Sequence, residues 1–190
     1  LLEVSIKMMK SSLLISALAL SCALVTACNN GEQAGPNNPG KAEDGEKHPL
    51  KGLPGPEFSR DIVANGKGKA ALSSYKGKVV IVDFWATWCE PCKKSFPKLQ
   101  DLYTKYKGQL EIVAISEDEE NAGLKDFADS HGGAKFPIVF DEGKSIAGKW
   151  HPDKMPSTFV VDKSGVVKFV HLGYHDGEEA DIEREIKGLL

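Results

Sequence analysis

The spacing of apolar residues changes along this chain, and each change marks an element. From Ser11 to Gly31 no residue is charged, and Leu13–Ala27 is an apolar run; Asn29–Gly55 is then almost devoid of aliphatic residues. Beyond it, short runs rich in β-branched residues alternate with segments whose apolar residues recur at helical spacing, which predicts strands alternating with helices. A short strand is expected around Phe58, with a turn at Asn65-Gly66-Lys67-Gly68 leading a hairpin onto Ala70–Leu72. Ser73–Gly77 reads as a turn or a single helical turn, and Val79–Val82 as a buried strand running on through Phe84 and Trp85. Phe96, Leu99, Tyr103 and Tyr106 place one apolar stripe on a helix that Pro97 should kink and Gly108 should end. Leu110–Ile115 reads as the next strand, and Asn121–His131 as a helix closed by Gly132-Gly133. A strand at Phe136–Phe140 and a short helix at Gly143–Trp150 follow. Ser157–Asp162 pairs through Lys163-Ser164-Gly165 with Val166–Leu172, and Asp176–Leu190 closes the chain as a helix with Ile182, Ile186 and Leu189 on one face. A parallel βαβ half followed by a ββα half predicts an α/β fold, one mixed sheet flanked by helices.

The 190 residues have room for one well-buried domain with appendages. A formal net charge of −3, with no basic cluster among aromatics, argues against nucleic acid as a partner. The chemistry gathers where the Val79–Trp85 strand gives way to Cys89-Glu90-Pro91-Cys92. A Cys-x-x-Cys pair on the first turn of a helix sets the first sulfur where unpaired N–H groups and the macrodipole favour a thiolate. The second lies one turn further in, within reach of a disulfide. Cys89 is thus the expected attacking thiol and Cys92 the resolving one. Pro91 suits a first turn, where its missing N–H has no partner to lose. Glu90 adjoins Cys89 and is expected to oppose its ionisation by like-charge repulsion, leaving the disulfide a weak oxidant and the reduced pair a good reductant.

Asp83-Phe84-Trp85-Ala86-Thr87-Trp88-Cys89-Glu90-Pro91-Cys92 resembles the active-site segment of thioredoxin-fold proteins. With Lys93 and Lys94 it is closer still to the membrane-anchored TlpA/ResA-type thiol–disulfide oxidoreductases, and the resemblance covers roughly Pro56 to Leu190. It implies a thioredoxin-like fold with an N-terminal hairpin and a central insertion. Asp83 would be a buried acid that accepts a proton from Cys92, although many TlpA/ResA-type proteins carry a neutral residue there. Pro156 would be a cis-proline facing the redox pair, with the Met155 backbone free to pair with an extended substrate. Trp88 would form a wall of the site and Trp85 part of the core. The chemistry needs no cofactor. Implied substrates are exported proteins with disulfides or thiols, such as apocytochrome haem-binding or copper-site cysteines, served by a membrane thiol-reductase electron donor.

Other chemistries fit less well. Structural zinc needs further Cys or His ligands near the pair, and haem attachment needs His where Lys93 stands. A thiol peroxidase on this fold would carry Pro and Thr where Val82 and Ala86 lie. Copper modules that use two cysteines and a distant histidine space the pair by three residues, so no metal is expected.

Before the domain, Leu1–Lys7 resembles neither a signal nor a domain start, and Met8 or Met9 followed by Lys10 reads as the functional beginning. Residues 1–28 read as a signal peptide, and Val25-Thr26-Ala27-Cys28 resembles the bacterial lipoprotein box, with Cys28 as lipid acceptor. An uncleaved signal anchor is the alternative; either holds the domain at a membrane outside the cytoplasm. Residues 29–55 read as a flexible tether, with His48 as a solvated linker residue, and residues 56–190 as the domain. The acidic run Ser116–Glu120 is expected to be solvated and to favour the following helix through its dipole. His151, a loop histidine ahead of Met155-Pro156, reads as a surface residue.

Overall fold

The computed structural model describes residues 43–190; the apolar leader, Cys28 and most of the expected tether lie outside them. The longest runs of buried β-branched residues become the middle of the sheet. β3 (Val79–Trp85) and β4 (Leu110–Ser116) are buried at every position and pair in parallel. Such near-continuous apolar strands require cover on both faces. β5 (Ile138–Phe140) continues the parallel set beyond β4, and β6 (Ser157–Val161) runs antiparallel on the other side of β3, followed by β7 (Val167–Leu172). The predicted hairpin, β1 (Ser59–Ala64) with β2 (Lys69–Ala71), adds to β5, giving seven strands in the order β2-β1-β5-β4-β3-β6-β7.

Alternation along β3 divides the apolar side chains between two cores. Val79, Ile81 and Trp85 face α2 (Glu90–Lys105), α3 (Leu124–Ser130) and α5 (Glu178–Leu189), packing with Phe96, Leu99, Phe127 and Ile182. Val80, Val82 and Phe84 face the opposite layer, with Phe58, Ile146, Trp150 and Phe159. Trp150, on the short α4 (Ala147–Trp150) of the insertion, is fully buried and donates from Nε1 to the Pro56 carbonyl at 3.0 Å. The buried Asp141 carboxylate accepts from the Ile146 and Ala147 N–H groups, both at 2.8 Å, and so fixes the start of that insertion helix.

Two polar stretches depart from expectation. Residues 45–55, expected within the tether, are folded against β7: Gly52 N–H donates to Val167, Val167 to Leu53, and Gly55 to Gly165. α1 (Glu43–Glu46) belongs to this strap, and a Cβ at Gly45 would lie 1.9 Å from the Val170 carbonyl oxygen, so only glycine permits the approach. His48 is buried rather than solvated. Its Nε2 is 3.0 Å from the His151 carbonyl, its Nδ1 accepts from Leu50 N–H, and its ring packs edge-on against Phe159. The imidazole is masked by partners a hundred residues away, which local composition does not reveal.

The acidic run is the second departure. Ser116 is the last residue of β4, and Glu117 and Asp118 are buried. α3 begins only at Leu124, after Gly123 in the left-handed region. Glu117 and Asp118 thus sit at the strand end, while Glu119 and Glu120 are exposed, as expected.

Candidate active site

The end of β3 delivers the chain to the N-terminus of α2, and the two cysteines sit there. Cys89 and Cys92 form a disulfide with Cα atoms 5.3 Å apart. Cys89 is the N-cap of α2, one position outside the helix, and its Sγ accepts from the Cys92 N–H at 3.3 Å. When the bond is reduced, that N–H and the helix end favour a thiolate on Cys89 over one on Cys92. Both residues are largely buried in this oxidised state, Cys92 completely and Cys89 at 4% exposure. Access to the pair is marked by its neighbours: Trp88 is 65% exposed, and Glu90 and Pro91 also face solvent. Trp85, in contrast, lies in the core against Phe96 and Phe127, as expected.

Glu90, exposed beside Cys89, is paired within its own helix. Its carboxylate bonds to Lys93 Nζ at 2.6 Å, and that hydrogen bond and the lysine charge hold it below the usual carboxylate range. A solvent-exposed charge already balanced by Lys93 exerts little net repulsion on the Cys89 sulfur.

Asp83 lies on the α2 face of β3, in register with Ala114 on one side and Thr158 on the other. It is fully buried; Thr158 Oγ1 donates to its Oδ1 at 2.7 Å, and Oδ2 is buried with no hydrogen-bond partner. Burial pushes its carboxyl up to about 7, Thr158 opposes the rise, and the charge of Glu178 adds to it. The group can therefore exchange a proton near neutral pH.

The loop preceding β6 completes the surroundings. The Met155–Pro156 peptide bond is cis; Pro156 is buried and its carbonyl accepts from Gly173 N–H at 2.7 Å. Met155 is half-buried against the same core that holds Cys89 and Cys92. His151 is exposed, as expected, and engages His48 only through its backbone carbonyl.

A contribution not anticipated from sequence comes from Asp118. Its carboxylate accepts from Thr87 N–H at 3.0 Å and from Thr87 Oγ1 at 2.6 Å, and also from Ser116 Oγ at 2.8 Å. Lys144 Nζ in turn donates to the Asp118 carbonyl at 2.7 Å. These bonds pin the loop two residues before Cys89. The available signal was position: the acids follow β4, which lies beside β3, and so emerge next to the loop that β3 feeds. Among the described residues, no group of three or more His, Cys, Asp or Glu side chains is placed to hold a metal ion.

Comparison with known proteins agrees with this geometry. Residues 52–170 match the AhpC/TSA family. The thiol-disulfide oxidoreductase ResA of Bacillus thuringiensis strain Al Hakam is 36% identical over 129 residues, spanning 67% of this chain and 74% of that protein. ResA of Bacillus subtilis is 35% identical over 155 residues, covering 80% of this chain and 79% of the relative. Among solved structures, a Chlorobium tepidum protein described provisionally as thiol:disulfide interchange protein DsbE superposes with a TM-score of 0.68 at 30% identity. The match covers 73% of this chain and 96% of that one.

Proposed function

The chain belongs to the AhpC/TSA family and, with its ResA relatives, is a thiol–disulfide oxidoreductase; on that premise we propose that it reduces disulfides of exported proteins. The observation that carries the reading is the Cys89–Cys92 disulfide closed at the N-terminus of α2, beside an exposed tryptophan. In the forward cycle the Cys89 thiolate attacks a substrate disulfide, forming a mixed disulfide and releasing one substrate thiolate. Cys92 then gives its proton to Asp83 and attacks the Cys89 sulfur, which restores the intramolecular disulfide and releases the second substrate thiolate. A buried carboxyl that titrates near neutrality suits that second step, in which a thiol deep in the core must be deprotonated.

Trp88 and Pro91 supply the rim on which the substrate segment rests, and the Met155 backbone beside Pro156 pairs with it in extended form. The two electrons consumed per turnover come from a membrane thiol-reductase donor. Substrates of the expected kind are apocytochrome haem-binding cysteines or copper-site cysteines. Lys10, the uncharged apolar run after it and Val25-Thr26-Ala27-Cys28 support export and lipidation at Cys28, which holds the domain at the cell envelope. Among the described residues no helix is long and apolar enough to cross a membrane.

Direction is tested by equilibrating the pair with glutathione. A reductant is expected to lie well below about −220 mV, near the thioredoxin range, whereas a potential near the protein disulfide isomerase value of about −180 mV would contradict it.

A further inference from the structure

Thr158, which bonds Asp83, is also the register partner of His171 on β7, so Asp83, Thr158 and His171 form a row across three strands on one face of the sheet. His171 is buried between two carboxylates of α5, with Nδ1 3.5 Å from Glu178 and Nε2 2.8 Å from Glu185. Glu178 is itself buried, at 4% exposure, although it opens the helix that carries it. Glu178 and Thr158 line one pocket between α2 and α5, together with Ser95, Leu99, Tyr174 and Ile182.

We propose that Glu178, held in place by His171, is a positioning residue that keeps Asp83 a ready proton acceptor for the redox pair. This rests on the assignment of Asp83 made above. Thr158 bonds Asp83 and shares a pocket with Glu178, and a negative charge buried in this cluster disfavours the ionised form of Asp83 and makes it the stronger base for the Cys92 thiol. His171 offsets the cost of burying Glu178, and both flanking carboxylates hold it protonated, its pKa raised to about 9 against the effect of burial. The other charged or titratable groups here are Glu185, which takes the far side of His171, Tyr174, and Glu179, which faces Lys98 of α2 at 3.6 Å.

The test follows the Asp83 carboxyl carbon by NMR in the oxidised protein as pH is raised. In Glu178→Gln the Asp83 midpoint is expected to fall by about one unit, and in Glu178→Asp, which keeps the charge, to stay near that of the unaltered protein. The double variant His171→Gln/Glu178→Gln removes one positive and one negative charge together, so its Asp83 midpoint should fall less than in Glu178→Gln alone. In parallel, at about pH 8.5, where Asp83 is ionised in both proteins, Glu178→Gln should slow release of substrate from the mixed disulfide several-fold, with no added effect in an Asp83→Asn background. An unchanged Asp83 midpoint in Glu178→Gln overturns the role of Glu178. Release of substrate from the mixed disulfide of Asp83→Asn as fast as from the unaltered protein overturns instead the assignment of Asp83 on which it rests.

Discussion

A carboxyl group with no solvent contact destabilises the fold once it ionises, and Asp83 is such a group. Its folded value of about 7 lies above its ordinary 3.8, so between these limits the native state binds the proton that the unfolded chain has already lost. Stability must therefore fall as pH rises through that window. The shift of about 3 units sets an upper bound on the order of 4 kcal/mol. Asp83→Asn is expected to match the unaltered protein near pH 4 and to exceed it in stability above about pH 7 by up to that amount. Urea unfolding at the two pH values checks this. The same variant should release substrate from the mixed disulfide more slowly, since it has no carboxylate to take the Cys92 proton. Both outcomes together would mark Asp83 as part of a site and not of a core. Of this, the sequence showed that an acid interrupts an apolar strand; its depth and its Thr158 partner, 75 positions away, come only from the register of β3 with β6.

At the scale of elements, the legible parts were those whose burial is periodic. β3, β4, β6 and α2 are found where the apolar spacing places them, because a strand covered on both faces or a helix covered on one leaves its period in the sequence. Pro97, which lies inside α2, also has a close neighbour: Gly132 lies at φ 93°, and a Cβ there would meet the Pro97 Cα at 2.7 Å. Gly132→Ala should therefore lower the thermal midpoint by several degrees, corresponding to about 1–3 kcal/mol. The strap and the acidic run were not legible, since their polar residues are satisfied by distant groups: His48 by His151, and Asp118 by Thr87. Removing those partners gives a sharp test. Asp118→Ala strips Thr87 of two hydrogen bonds to a carboxylate and should cost about 2 kcal/mol. It should also slow the reaction of Cys89 with a disulfide without changing which cysteine attacks, as stopped-flow kinetics would show.

At the scale of the whole molecule, and among the described residues, Asp83, Glu117 and His171 bias stability in one direction. Burial raises Asp83 and Glu117 to about 7, and the flanking carboxylates raise His171 to about 9. The two acids lose stability as pH rises from about 4 to about 7. His171 contributes stability that is complete below about 6.5 and lost as pH passes about 9. The thermal midpoint of the oxidised domain is thus expected to be higher at pH 5 than at pH 9. The reverse order would mean that these side chains are not charged as their surroundings require. The thioredoxin-like outline, the redox pair and its place on α2 were all present in the sequence; the balance around Glu90 was not, because Lys93 becomes its partner only through the helix geometry. The central claim is that Cys89 attacks and Cys92 resolves. Its most direct test is brief alkylation of the reduced protein at mildly acidic pH, followed by mass spectrometry of the labelled peptide. Faster labelling at Cys89 is the predicted result, and faster labelling at Cys92 would contradict the account.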